Sequence, residues 1–231
     1  MLESLKERVL QANLALPKHG LVIFTWGNVS AIDRESNLVV IKPSGVSYAT
    51  MSVEDMVVVN LKGEVVEGKL KPSSDVLTHL EIYKNFPLVN GIVHTHATWS
   101  TTWAQAVKPI KVYGTTHADY FYGEVPLTRL LTQEEIDTAY ELNTGKVIVE
   151  TFEDKDPLNY PGVIVANHGP FNWGETPEKA VENAVVMEEI AKLAFNTEVL
   201  NREVKEIDQT LLDKHFLRKH GKTAYYGQIN N

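Results

Sequence analysis

Leu2, Leu5, Val9, Ala12 and Leu16 recur at three- and four-residue intervals, which predicts an amphipathic helix over residues 2–16. It is expected to stop at Pro17, whose nitrogen has no hydrogen with which to continue the ladder. Beyond it the pattern tightens into short apolar runs rich in β-branched residues, and strands are predicted at residues 21–25, 29–32, 38–41, 56–61, 65–66, 92–95, 147–151 and 163–166. Lys62-Gly63 reads as a hairpin turn. Helical spacing returns at residues 75–85, 99–106, 133–140, 177–200 and 208–220. The longest of these opens on Thr176-Pro177-Glu178: a hydroxyl cap, a proline at the first position and an acid facing the positive helix end. Its inner stripe is Val181, Ala184, Met187, Ala191 and Ala194. Because the helices interrupt the strands without strict alternation, a mixed or antiparallel sheet with helical cover is expected.

Length and composition narrow the reading. A chain of 231 residues is long enough for one sizeable core, so residues 1–231 are expected to form a single domain. The net charge of -8 argues against a general nucleic-acid or anionic-membrane binder, and any anionic ligand must be held locally. With no cysteine there are no disulfides, thiolate zinc sites or thiol catalysis. No secretory leader and no bilayer-length apolar run is evident, so a cytoplasmic location is expected.

The densest chemistry lies in Gly91-Ile92-Val93-His94-Thr95-His96, where two imidazoles at alternate positions of a strand leave the same side of a sheet. A second apolar run ends in His168-Gly169 and brings a third imidazole, while Asp75, at the start of a predicted helix, offers a carboxylate. Three histidines and one acid suit zinc or a similar divalent ion. A metal-bound hydrolytic water is less well supported, because the commonest hydrolase form of this motif has an aspartate where this chain has Thr98. Lys42-Pro43-Ser44-Gly45 and Lys71-Pro72-Ser73-Ser74 echo each other. Each combines an ammonium, hydroxyls and free backbone N–H groups, and the second runs into a helix N-terminus, an arrangement that satisfies phosphate oxygens as readily as it makes ordinary turns. Gly27-Asn28 could join the same pocket. Asp119 and Tyr226 are candidate acid-base groups, although a loop and a chain tail explain them as well. His19, His79, His117 and His220 are read as structural or solvated.

Taken in order, several stretches resemble one known family: residues 10–19, Thr25-Trp26-Gly27-Asn28-Val29-Ser30, Ile41-Lys42-Pro43-Ser44-Gly45-Val46, the His94–His96 strand, residues 114–121 and the tail around Ala224-Tyr225-Tyr226-Gly227-Gln228. The chain resembles, nearly end to end, the L-ribulose-5-phosphate 4-epimerases of the class II aldolase and adducin-head superfamily. That resemblance implies an α/β fold, a three-layer α/β/α sandwich with a central, mainly antiparallel sheet, assembled as a homotetramer with active sites between subunits. It implies Zn2+, or Mn2+ or Co2+ in its place, on Asp75, His94, His96 and His168. It places a pentulose phosphate against Gly27, Asn28, Lys42, Ser44, Gly45, Ser73 and Ser74, and gives the acid-base steps to Asp119 and Tyr226. Thr115, Glu141, His215 and Arg218 fall on family positions near the site. This chain departs from its relatives at Ala97-Thr98-Trp99 and at Asn167, beside the ligands, which bears on substrate range more than on activity.

The implied reaction inverts C4 of L-ribulose 5-phosphate, giving D-xylulose 5-phosphate. The C4–H bond is not next to the carbonyl and is not acidic, so breaking and re-forming C3–C4 is the accessible route, with a metal stabilising the enediolate and one acid-base group on each face of the aldehyde. The nearest rival is a class II sugar-phosphate aldolase, which typically has a glutamate where this chain has the shorter Asp75. A non-catalytic adducin-like interaction domain is the rival from another class.

Overall fold

The computed structural model describes residues 2–221 and 224–225. Seven strands form one antiparallel sheet: β1 (Asn28–Asp33), β2 (Leu38–Ile41), β3 (Val57–Asn60), β4 (Val65–Glu67), β5 (Gly91–His94), β6 (Gly162–Val165) and β7 (Gly169–Gly174), in the order β4-β3-β2-β1-β5-β7-β6. Among the described residues seven α-helices accompany it: α1 (Glu3–Lys18), α2 (Val76–Asn85), α3 (Thr98–Ala106), α4 (Thr115–Ala118), α5 (Gln133–Thr151), α6 (Pro177–Leu200) and α7 (Gln209–His220).

Side-chain alternation divides the helices between the two faces. Val39 and Ile41 of β2, Val57 and Val59 of β3 and Ile92 of β5 pack in one cluster with Leu80 and Tyr83 of α2 and Ile148 of α5. Val40, Val58 and Val93, one residue out of step, pack on the other face with Val9 and Leu16 of α1 and Ala180 and Ala184 of α6. A period of two therefore produces the three layers expected of an α/β/α sandwich. Among the described residues no helix is long and apolar enough to cross a membrane.

Three local predictions are corrected. Residues 147–151 are helical: Val147 and Ile148 of α5 (Gln133–Thr151) are fully buried, and the hydroxyls of Thr144 and Thr151 bond back to Tyr140 O at 2.8 Å and Val147 O at 2.7 Å, so tertiary burial overrides β-branched preference. Residues 21–25 form no strand; Phe24 has a φ of 54°, and Ile23, Phe24 and Trp26 are exposed. Pro17 lies inside α1, where its missing hydrogen costs a single bond in the final turn and Pro17 O still accepts from Gly20 N at 3.2 Å. Sequence reading missed β7, whose Gly169-Pro170 start looks like a turn, yet it pairs with both β5 and β6 in the buried part of the sheet.

Two buried histidines belong to this framework. His79 Nδ1 meets Ser30 Oγ at 2.7 Å, and His117 Nε2 donates to Gly123 O at 3.0 Å. Burial pushes their pKa values down to about 3 and about 4. Unfolded histidine titrates near 6.5, so the unfolded chain takes up protons first, and stability present above that pH is lost as pH falls toward the folded values. The urea midpoint is expected to fall between about pH 6.5 and about pH 4; a flat midpoint over that window contradicts the assignment.

Candidate metal centre and anion cradle

The register of the sheet sets the site. His94 ends β5 directly opposite Asn28 of β1 and Phe171 of β7, and its ring stacks on Phe171 with centroids 4.1 Å apart. His96 follows two residues later, and His168 stands in the β6–β7 hairpin, beside Asn167 in left-handed backbone with φ 61°. Ring nitrogens of His94, His96 and His168 all lie within 4.8 Å of one another.

The hydrogen bonds fix which nitrogens face inward. His94 Nδ1 donates to Pro170 O at 3.0 Å, which leaves Nε2 bare, and that atom faces His96 Nε2 at 3.1 Å. His168 Nδ1 is engaged by the Tyr140 hydroxyl at 3.2 Å, leaving its Nε2 for the interior. Two nitrogens bound tetrahedrally to zinc sit roughly 3.3 Å apart, so the observed spacing matches ligands of one cation. Protonation is a poor alternative. Burial and the neighbouring imidazoles push His168 down to about 3, and burial with His94 lowers His96, so both rings offer lone pairs at neutral pH.

Asp75 occupies the same pocket but stands outside this compact trio. It is the N-cap of α2, and its Oδ2 accepts from Asn28 Nδ2 at 2.7 Å and Ser73 Oγ at 3.3 Å. Burial raises its pKa, but the His94, His79 and His168 imidazoles and the Asn28 amide outweigh that and hold the carboxyl below its usual range.

The echo between the two lysine-proline-serine turns proves to be spatial. Ser44 N donates to Lys71 O at 2.9 Å, Ser73 N donates to Lys42 O at 3.0 Å, and Pro43 bridges Pro72, so the turns run antiparallel beside each other. Between them lies the buried Lys42, whose ammonium donates to Pro43 O at 3.2 Å and sits 5.0 Å from the centre of the Tyr48 ring. Burial lowers its pKa, and among the described residues no carboxylate pairs with it. An anion entering here meets a cation, two serine-bearing turns and the start of α2. Tyr48 ties this cradle to the metal side, donating to Trp26 O and Gly27 O, both at 2.8 Å.

One cavity of about 580 Å³ is lined by Gly27, Asn28, Lys42, Ser44, Gly45, Ser73, Ser74, Asp75, His94, His96 and His168, together with Trp26, Tyr140 and Glu141. The structure thus brings eleven of the sequence-predicted residues to one place. Gly27 is there by necessity: its φ is 77°, and a Cβ would lie 2.8 Å from Val22 Cγ1 and 2.9 Å from His94 O. Gly27→Ala is expected to cost about 2 kcal/mol, read from urea melts, and to displace the metal strand. An unchanged midpoint contradicts that strain argument.

Asp119 is placed elsewhere. It follows α4, lines no part of this cavity, and accepts from His215 Nδ1 at 3.0 Å and Arg218 Nη2 at 3.0 Å, with Lys219 Nζ at 3.5 Å. Burial raises its pKa, but the His215, Arg218 and Lys219 contacts outweigh it, so the carboxylate is held ionised. Tyr226 lies outside the described residues. Tyr140 was missed by sequence reading. The one available signal was the predicted helix that broke off there, ahead of a strand that does not exist.

Residues 7–195 match the class II aldolase and adducin N-terminal domain family, and the chain belongs to that family. Among solved structures, an L-fuculose 1-phosphate aldolase is 25% identical with a TM-score of 0.78, covering 92% of this chain and 94% of its own. YgbL from Escherichia coli is 25% identical with a TM-score of 0.73, over 92% of this chain and 97% of that one. The L-fuculose-1-phosphate aldolase from Thermus thermophilus shares the fold at 21% identity and a TM-score of 0.68, over 87% and 99%.

Proposed function

We propose that this protein is a metal-dependent L-ribulose-5-phosphate 4-epimerase. The observation that carries the reading is the shared cavity, in which three converging imidazoles stand beside the buried Lys42 and two serine-bearing turns, groups that suit a phosphate. Asp75 in place of a longer glutamate, and a second carboxylate held ionised at Asp119, favour epimerisation over net cleavage.

His94, His96 and His168, with Asp75 beside them, would hold the cation. Bound there, a divalent ion supplies Lewis acidity toward the substrate carbonyl. The chain's own groups do the rest. Lys42, Ser44, Gly45, Ser73 and Ser74 bind the phosphate, and Gly27 and Asn28 bring backbone and amide close to the sugar. When C3–C4 breaks, the C4 hydroxyl gives up its proton to a base on one face and glycolaldehyde phosphate forms. Held by its phosphate, this fragment turns rather than leaves, and bond formation on its other face returns a proton from the opposite side. Asp119 and Tyr226 supply these two proton positions. Asp119 lines no part of the cavity of its own chain, so a neighbouring copy in a homotetramer is the source of Asp119, and the family resemblance gives Tyr226 the same origin.

A class II sugar-phosphate aldolase is the second reading, favoured by the fuculose-phosphate aldolase neighbours and by Glu141, a longer carboxylate in the cavity wall. Incubation with L-ribulose 5-phosphate separates the two. D-xylulose 5-phosphate without net dihydroxyacetone is expected; accumulating dihydroxyacetone and glycolaldehyde phosphate would mean an aldolase.

A further inference from the structure

Helix α5 is broken at one residue. Ala139 has φ -155° and ψ 66°, outside helical values, and side chains bond to the carbonyls on either side of it. Asn143 Nδ2 spans the break to Glu135 O at 2.9 Å, Thr78 Oγ1 of α2 donates to Glu141 O at 2.6 Å, and Thr144 Oγ1 donates to Tyr140 O at 2.8 Å. Gly145 lets the second half of α5 close on α2, since a Cβ there would lie 2.6 Å from Glu81 Cβ. The segment after the break is therefore held from several directions. Its first residue, Tyr140, points its hydroxyl at His168 Nδ1 across 3.2 Å, with the rings tilted by 32° and centroids 5.9 Å apart.

We infer that Tyr140 is a positioning residue for His168. Its phenol oxygen accepts the Nδ1 hydrogen, fixes the tautomer that leaves Nε2 bare, and aims that nitrogen at the point shared with His94 and His96. Pro170 O does the same for His94, so two of the three imidazoles have their outer nitrogens tied before any cation arrives. His168 needs this more than His94 does. His94 ends a strand in the middle of the sheet, whereas His168 sits on a hairpin turn with no ladder through it. The kink at Ala139 is the backbone feature that sets Tyr140 in the cavity wall. Partners of a ligand's second nitrogen typically alter metal affinity by about 10- to 100-fold. This inference rests on the reading of the histidine trio as a metal site.

The test compares wild type, Tyr140→Phe and His168→Ala as metal-free proteins. Zinc affinity is measured by competition with a chromophoric chelator, and the visible spectrum is recorded after loading with cobalt. Phenylalanine keeps the ring and removes only the hydroxyl. Tyr140→Phe is expected to bind zinc about 10- to 100-fold more weakly and to shift the cobalt bands, while its metal-free melting temperature stays at the wild-type value. Wild-type affinity and an unshifted spectrum in Tyr140→Phe, alongside weakened binding in His168→Ala, overturn the inference and leave the metal site standing. Tighter binding in Tyr140→Phe means that the hydroxyl donates to a bare Nδ1, and this also overturns it. Equal zinc affinity in wild type and His168→Ala removes the metal site and the inference together.

Discussion

His96→Ala is expected to abolish stoichiometric metal binding and to lower turnover of L-ribulose 5-phosphate by at least about a hundredfold, since a Lewis-acid cation supplies several kcal/mol to a reaction of this kind. His94 Nε2 and His96 Nε2 stand 3.1 Å apart, with the outer nitrogen of His94 committed to Pro170 O. Removing His96 leaves His94 and His168 as the imidazole donors. His96 is also the most exposed of the trio, so its loss leaves no large buried cavity and the fold should survive. Metal analysis of the purified variant beside its melting temperature checks both halves. Full metal content with full turnover would remove His96 from the site.

The second large effect concerns Asp119. Asp119→Asn is expected to lower turnover by about 10²- to 10⁴-fold, the usual weight of a positioned acid-base group, while metal content stays at the wild-type level. The asparagine retains the shape but loses the negative charge that His215, Arg218 and Lys219 surround. Arg218 and Lys219 facing a neutral amide also lower stability, so turnover is compared at a temperature where both proteins are folded. If neighbouring copies complete one another's sites, mixing Asp119→Asn with His96→Ala subunits regenerates some intact sites. Statistical assembly predicts about a quarter of wild-type activity. No recovery in subunits shown to exchange would place Asp119 and His96 in the same chain's site, or take Asp119 out of catalysis.

Most of the cavity was legible in the sequence because its residues sit in short local patterns. The alternate histidines on β5 need only the period of a strand, and the two lysine-proline-serine turns show their likeness directly. That the turns lie side by side was not legible, since it depends on backbone pairing between residues about thirty positions apart. The strands covered on both sides were recovered wherever β-branched residues crowd together, as in β2, β3 and β6. Sequence reading failed at β7, where Gly169 and Pro170 disguise a strand held by neighbours on each edge. It failed again at residues 147–151, where a helix buries valine and isoleucine against α2 and the sheet. Tyr140 escaped for a related reason. Its place in the cavity wall comes from one non-helical residue, Ala139, held in place by bonds to Glu135 O and Glu141 O that no local propensity encodes.

The most direct measurement is a titration of the chelator-treated protein with zinc, following conversion of L-ribulose 5-phosphate to D-xylulose 5-phosphate at each addition. The expected result is negligible conversion in the metal-free protein, rising linearly to a plateau at one ion per subunit, with no such rise in His96→Ala. Full conversion by the metal-free protein, or zinc saturation without any conversion, would contradict it.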